Sequence, residues 1–135
     1  MRKKWDKYTK GIRVQSGNTF GYIAAETAYA GGEEWYEAVK CQIFKNYIYL
    51  RDTLKERRPK AVVSPLEGTY LVWIDLRACA DPEKIRDQVI HECKLAVDFG
   101  DWFGGERYQG FIRMNLATSF ENVAAAVQSL IRVFE

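Results

Sequence analysis

Residues 33–57 read EEWYEAVKCQIFKNYIYLRDTLKER, and this stretch decides how the rest of the chain must be arranged. Tyr36, Val39, Ile43, Tyr47, Leu50 and Leu54 recur at steps of three or four, the period of one helix face. Glu33 and Glu34 suit the positive end of a helix dipole, Lys55, Arg57 and Arg58 suit its negative end, and Pro59 stops it. About 25 residues at 1.5 Å each give a helix of roughly 37 Å. That is about twice the usual ~11 to 12 residues. Trp35, Phe44 and Ile48 lie off the first stripe, so two sides of the helix ask for burial. Such a helix bridges two packed units, and the chain offers material for only one.

Upstream, NTFGYIAAETAYAGG (residues 18–32) has Asn18 or Thr19 as N-cap, Phe20, Ile23 and Ala24 at helical spacing, and Gly31-Gly32 as a stop. Ala24, Ala25, Ala28 and Ala30 would let this short helix lie close against a neighbouring surface, so a cover is expected for it. Before it, residues 1–17 form a basic lead-in. Arg2, Lys3, Lys4, Lys7, Lys10 and Arg13 stand against the single acid Asp6, with little apolar periodicity. It reads as a solvated linker or the outer face of a helix, or as an RNA-binding arm in which Trp5 and Tyr8 stack on bases.

Downstream, the chain alternates strands and helices. Lys60 to Ser64 is a short β-branched run. Leu66-Glu67-Gly68 then turns into TYLVWID (residues 69–75), apolar on both faces and therefore expected to be covered on both. Asp81 caps a helix that starts at Pro82 and turns Ile85, Val89 and Cys93 inward. GFIRMNLA (residues 110–117) is a second strand, and Ser119 caps a last helix with Phe120, Val123, Val127, Leu130 and Phe134 along one side. The expected fold is α/β: an α+β two-layer sandwich, its small mixed or antiparallel sheet covered by helices and preceded by a long bridging helix. The expected divisions are 1–17, 18–58 and 59–135.

Composition narrows the functional classes. The chain has 135 residues, 47% apolar and 14% aromatic, enough for one domain with its own core and too few for a large multidomain enzyme. Lys and Arg number 20 against 18 Asp and Glu, and a net charge of +2 supplies no field to attract nucleic acid or an anionic membrane. No apolar run approaches the ~18 to 20 residues of a bilayer span, and no apolar signal segment follows the basic start. Cys41, Cys79 and Cys93 are odd in number and widely spaced, which argues against disulfides and for a reducing cytoplasm.

Few residues carry chemistry. His91 is the single histidine, and neither it nor the cysteines fall in a metal-ligand or nucleophile pattern, so no metal and no catalytic residue is expected here. GDWFGGERYQG (residues 100–110) lacks the spacing of a phosphate loop and reads as a mobile loop. Trp102, Phe103 and Gly104 suit a lid over a site, and equally an ordinary connection. Arg113 stands out. On its strand it shares a face with Phe111 and Asn115, while Ile112, Met114 and Leu116 take the other face. A guanidinium there is either an exposed cross-strand arginine or a fork for an anion, a carboxylate fitting it bidentately.

Three segments add a resemblance. NTFGYIAAETAYAGGEEWYEAVKCQIFKNYIYL (residues 18–50), EGTYLVWIDLR (67–77) and DWFGGERYQGFIRMNLA (101–117) together resemble the C-terminal part of the class I/II (fold type I) aminotransferase superfamily. Within that superfamily they are similar to the MalY/PatB-type cystathionine β-lyases, or carbon–sulfur lyases. Met114 stands where leucine is usual. The resemblance implies the small C-terminal domain of the fold of transferases that depend on pyridoxal 5'-phosphate. It implies that Arg113 holds the α-carboxylate of an amino-acid substrate and that residues 101–110 close over the site. The Schiff-base lysine, the acid facing the pyridine nitrogen and the phosphate-binding groups of such enzymes match no position here. The resemblance therefore implies a fragment that is inactive alone and binds no cofactor itself. Its partners would be its own missing large domain and a second copy in a homodimer. Lyase and transaminase outcomes share these residues. A stand-alone α/β interaction module is the alternative, and a nucleic-acid binder using the basic lead-in a more distant one.

Overall fold

The computed structural model describes residues 1–12 and 18–134, and Arg13 of the basic lead-in lies outside them. Two compact units emerge, Met1–Ala38 and Val39–Glu135, and the division falls inside the long helix.

The first unit is helical. Helix α1 spans Arg2–Gly11, where the sequence had shown little periodicity. Met1, Trp5, Tyr8 and Ile12 nevertheless recur at steps of four, three and four, with Lys3, Lys7 and Lys10 on the opposite side. The charge density hides that pattern. Helix α2 spans Thr19–Gly31, and the Asn18 side chain caps it by accepting from the Gly21 N–H at 2.6 Å. Among the described residues nothing covers α2: none of its residues is buried, and Phe20 and Tyr29 are 83% and 93% exposed. Helix α3 spans Glu33–Arg57 as its end charges predict.

The second unit is a two-layer sandwich. Strands β1 (Val62–Val63), β2 (Leu71–Asp75), β3 (Asp98–Phe99) and β4 (Phe111–Asn115) form one sheet in the order β1-β2-β4-β3, every pair antiparallel. The strand alternation works as the sequence predicts, with Val72, Ile74, Ile112 and Met114 turned to the core. The helical layer against them consists of Tyr47, Leu50 and Leu54 of α3, Ile85 of α4 (Pro82–Asp87), and Val123, Val127 and Leu130 of α6 (Phe120–Val133). Asp81 caps α4 by accepting from the Glu83 N–H, and Ser119 caps α6 by accepting from the Asn122 N–H. Helix α4 runs on into a π-helical turn, Gln88–Glu92, which keeps Val89 and Cys93 inward.

Two expectations change here. Strand β2 is covered on one face only: Leu71, Trp73 and Asp75 stay half-buried on the side away from the helices. Apolar residues on both faces had suggested two covers, but Leu71 and Trp73 are left on a partly open surface. The stripe of α3 is buried only in its C-terminal half, from Asn46 and Tyr47 to Leu54, while Trp35, Tyr36 and Phe44 are exposed.

Among the described residues no helix is long and apolar enough to cross a membrane.

Candidate functional site

Arg113 sits at the middle of β4, where the register places Trp73 of β2 on one side of it and Asp98 of β3 on the other. Side chains paired this way across antiparallel strands lie ~4.5–5.5 Å apart at Cβ, so the three form a row on the open face of the sheet. The row is tightly coupled. The Arg113 Nε and Nη2 both donate to one oxygen, Asp98 Oδ2, at 3.0 and 2.6 Å. Its guanidinium carbon lies 4.3 Å from the centre of the Phe103 ring and 5.7 Å from that of Trp73. Phe103 meets Trp73 edge-on, with centroids 5.3 Å apart. The Arg113 side chain keeps 25% of its surface, against 38% for Asp98. The arginine thus pairs across strands with an acid, on a half-open face beside a cleft.

That cleft, about 450 Å³, is lined by Ser64, Trp73, Gly100, Phe103, Tyr108 and Phe111. Three of these come from the glycine-rich stretch that had read as a mobile loop. It folds instead into helix α5 (Asp101–Gly104) and a 3-10 turn, Gly105–Tyr108. Gly105, at φ +67°, makes the break between them possible. Arg86 of α4 fixes the start of this segment by donating from Nη2 to Asp101 Oδ1 at 2.6 Å while stacking over Phe99 and Trp102. Trp102 also meets Phe99 edge-on at 5.4 Å. Of the three candidate lid residues, Phe103 reaches the Arg113 row, Trp102 packs beside it on Phe99, and Gly104 abuts the Tyr108 ring with no room for a Cβ.

A second ion pair shares the open face. Arg77 donates from Nε to Asp75 Oδ1 at 2.9 Å and from Nη2 to Oδ2 at 2.7 Å, and covers the Phe111 ring at 4.4 Å. The guanidinium hydrogen bonds hold the Asp75 carboxyl below the usual carboxylate range, and hold the Arg77 pKa up. Both arginines on this face are therefore already paired with acids.

Asp98 is the residue that sequence reasoning missed. Its strand has two residues, too few to show a period. The available signal was Val97-Asp98-Phe99, an acid between two apolar residues upstream of the Arg113 strand.

The other chemistry-bearing residues stay apart. Among the described residues no group of three His, Cys, Asp or Glu converges to hold a metal. The cysteines are free: Cys41 is exposed, and burial pushes the Cys79 and Cys93 thiols up. His91 is exposed on the π-helical turn.

Comparison with known proteins shows what the chain is similar to. No family model matches the chain. The protein MalY of Escherichia coli (strain K12) is 27% identical over 131 residues, which cover 93% of this chain and 33% of MalY. The cystathionine beta-lyase PatB of Bacillus subtilis (strain 168) is 29% identical over 106 residues, or 76% of this chain and 26% of PatB. The crystal structure of cystalysin from Treponema denticola, which contains pyridoxal 5'-phosphate, superposes with a TM-score of 0.82 at 30% identity. The match covers 95% of this chain and 33% of cystalysin. The chain thus spans about a third of the length of these relatives. Sequence and fold agree over nearly the whole chain, which has the fold of pyridoxal-phosphate-dependent transferases and is similar to a C-terminal part of aminotransferases and carbon–sulfur lyases of that superfamily.

Proposed function

We propose that the open face around Arg113 is the carboxylate-reading side of an active site for amino acids, completed in a longer protein by a large domain and a second copy of the chain. The reaction would be β-elimination of a thiol from a sulfur-containing amino acid or, with the same residues, transamination. The observation that carries this reading is the position of the Arg113 guanidinium, pressed against Phe103 and turned to the half-open side of the sheet beside a cleft. A planar fork in such surroundings suits a carboxylate.

The residues present fit the substrate side and not the cofactor side. Every lysine in the chain is exposed, so the chain encloses no amine to which a pyridoxal aldehyde could be joined. The cradle of the cofactor would come from the large domain. Bound there, pyridoxal phosphate would supply the electron sink for loss of the substrate's Cα proton. The work of the present chain is binding and exclusion of water. Arg113 fixes one end of the amino acid, which limits how its Cα–H can be aligned. Trp73, Phe103 and Tyr108 wall the cleft with apolar surface, and inside such a wall the arginine–carboxylate attraction is screened less than in water.

The test is Arg113→Lys in the complete protein. Lysine keeps the charge and loses the second parallel N–H···O contact. Losing one charge-assisted hydrogen bond at a desolvated site costs about 1.5–3 kcal/mol, or roughly one to two orders of magnitude in kcat/KM. The loss is expected on the amino acid and not on its carboxamide analogue. An equal loss on both would show that Arg113 does not read the carboxylate.

A further inference from the structure

Asp98 engages Arg113 in a way that restricts how a carboxylate can reach it. A guanidinium has two edges that can hold a carboxylate by paired contacts, a side edge made by Nε with Nη2 and an end edge made by the two Nη atoms. Asp98 Oδ2 already takes both donors of the side edge, at 3.0 and 2.6 Å. Nη1 makes no hydrogen bond among the described residues. The Phe103 ring lies against the guanidinium at 4.3 Å, so an anion cannot approach across that ring. The end edge remains.

Resting on the reading of Arg113 as the carboxylate reader, we propose that Asp98 is a positioning residue. It is not displaced by the substrate. It holds the side edge, sets the plane of the guanidinium, and obliges the substrate carboxylate to bind end-on through Nη1 and Nη2. Its position supports a permanent role. Asp98 stands directly across from Arg113 in the β3–β4 register, so the backbone ladder itself keeps the two side chains opposed. Phe99, next to it, is buried and anchors the strand. A positioning acid also has an electrostatic consequence: its charge offsets that of Arg113 and weakens the general attraction for anions while sharpening the direction of the one that binds. Orientation, not affinity, is what Asp98 contributes.

Two measurements test this. In the full 135-residue chain, the Arg113 Nε–H gives its own NMR resonance, protected from exchange by Asp98, and Asp98→Asn shifts it and speeds its exchange. In the complete protein, Asp98→Asn is expected to lower kcat by about tenfold on the amino-acid substrate, with KM unchanged or lower, because the arginine stays but its plane is no longer fixed. Unchanged kcat, or a KM that rises as steeply as kcat falls, would overturn the proposal, as would an Nε–H resonance indifferent to Asp98→Asn. Failure of the underlying reading is distinguishable. In that case Arg113→Lys hits acid and amide substrates alike, whereas a wrong role for Asp98 leaves the acid-specific loss of Arg113→Lys intact.

Discussion

Asn46 shows how much one polar side chain can carry. It is fully buried on α3, donates from Nδ2 to the carbonyls of Leu116 and Thr118 at 3.0 and 2.9 Å, and accepts from Gln42 Nε2 at 3.0 Å. It ties the long helix to the exit of the Arg113 strand. Replacing it by Leu leaves the buried Leu116 carbonyl and the part-buried Thr118 carbonyl without this donor, at about 1–3 kcal/mol for the buried group and less for the other. Asn46→Leu is therefore expected to lower the urea midpoint by an amount equivalent to about 2–4 kcal/mol at unchanged slope. A midpoint within error of the wild type would mean that the carbonyls find other partners. At this scale the sequence is uneven. Arg113 stands out because a cation interrupts an apolar strand, a signal that survives without any structure. Asn46 and Asp98 do not, because each acts on a group distant in sequence, and the strand that Asp98 interrupts is too short to show a period.

Among the elements, those with long periods were legible and those held by a few backbone contacts were not. The strands around Trp73 and Arg113, the caps at Asn18, Asp81 and Ser119, and the inner stripe of α6 follow from alternation and end chemistry. The two-residue strand β3 and the π-helical turn carry no period at all, whereas β1 lies within the β-branched run from Lys60 to Ser64 that the sequence marks. The stretch 100–110 hides its helical turns for a different reason. Its glycines suggested looseness, whereas Gly100 is there because nothing larger fits: a Cβ would lie 2.3 Å from the Tyr108 carbonyl oxygen and 2.8 Å from the Phe111 Cβ. Overpacking against backbone costs roughly 1–3 kcal/mol. Gly100→Ala is expected to destabilise the fold by about that much, and to loosen Tyr108 and the cleft wall with it. Thermal unfolding read alongside near-UV circular dichroism checks both effects. A variant with wild-type melting and an unchanged aromatic spectrum would show that the segment is slack after all.

For the whole molecule, what the sequence shows as surplus the structure shows as exposed surface. Helix α2 buries none of its residues, and Trp35, Tyr36 and Phe44 on α3 are open to solvent. Contiguous exposed apolar surface marks interfaces, and under the proposed function a further domain would cover these residues. The relatives it matches are about three times its length, and under the proposed function a large domain would supply both the cover and the cofactor cradle. As proposed, the present chain would contribute Arg113 and its supports, and a longer protein would contribute the chemistry. The most direct measurement is the amount of pyridoxal phosphate retained after incubation and desalting, compared between the 135-residue chain and the complete protein, by absorbance and by the signal's loss on substituting lysines. The account predicts about one cofactor per subunit in the complete protein, dependent on a lysine outside this chain, and none held by the 135 residues alone. Stoichiometric retention by the isolated chain, abolished by changing one of its own lysines, would contradict it.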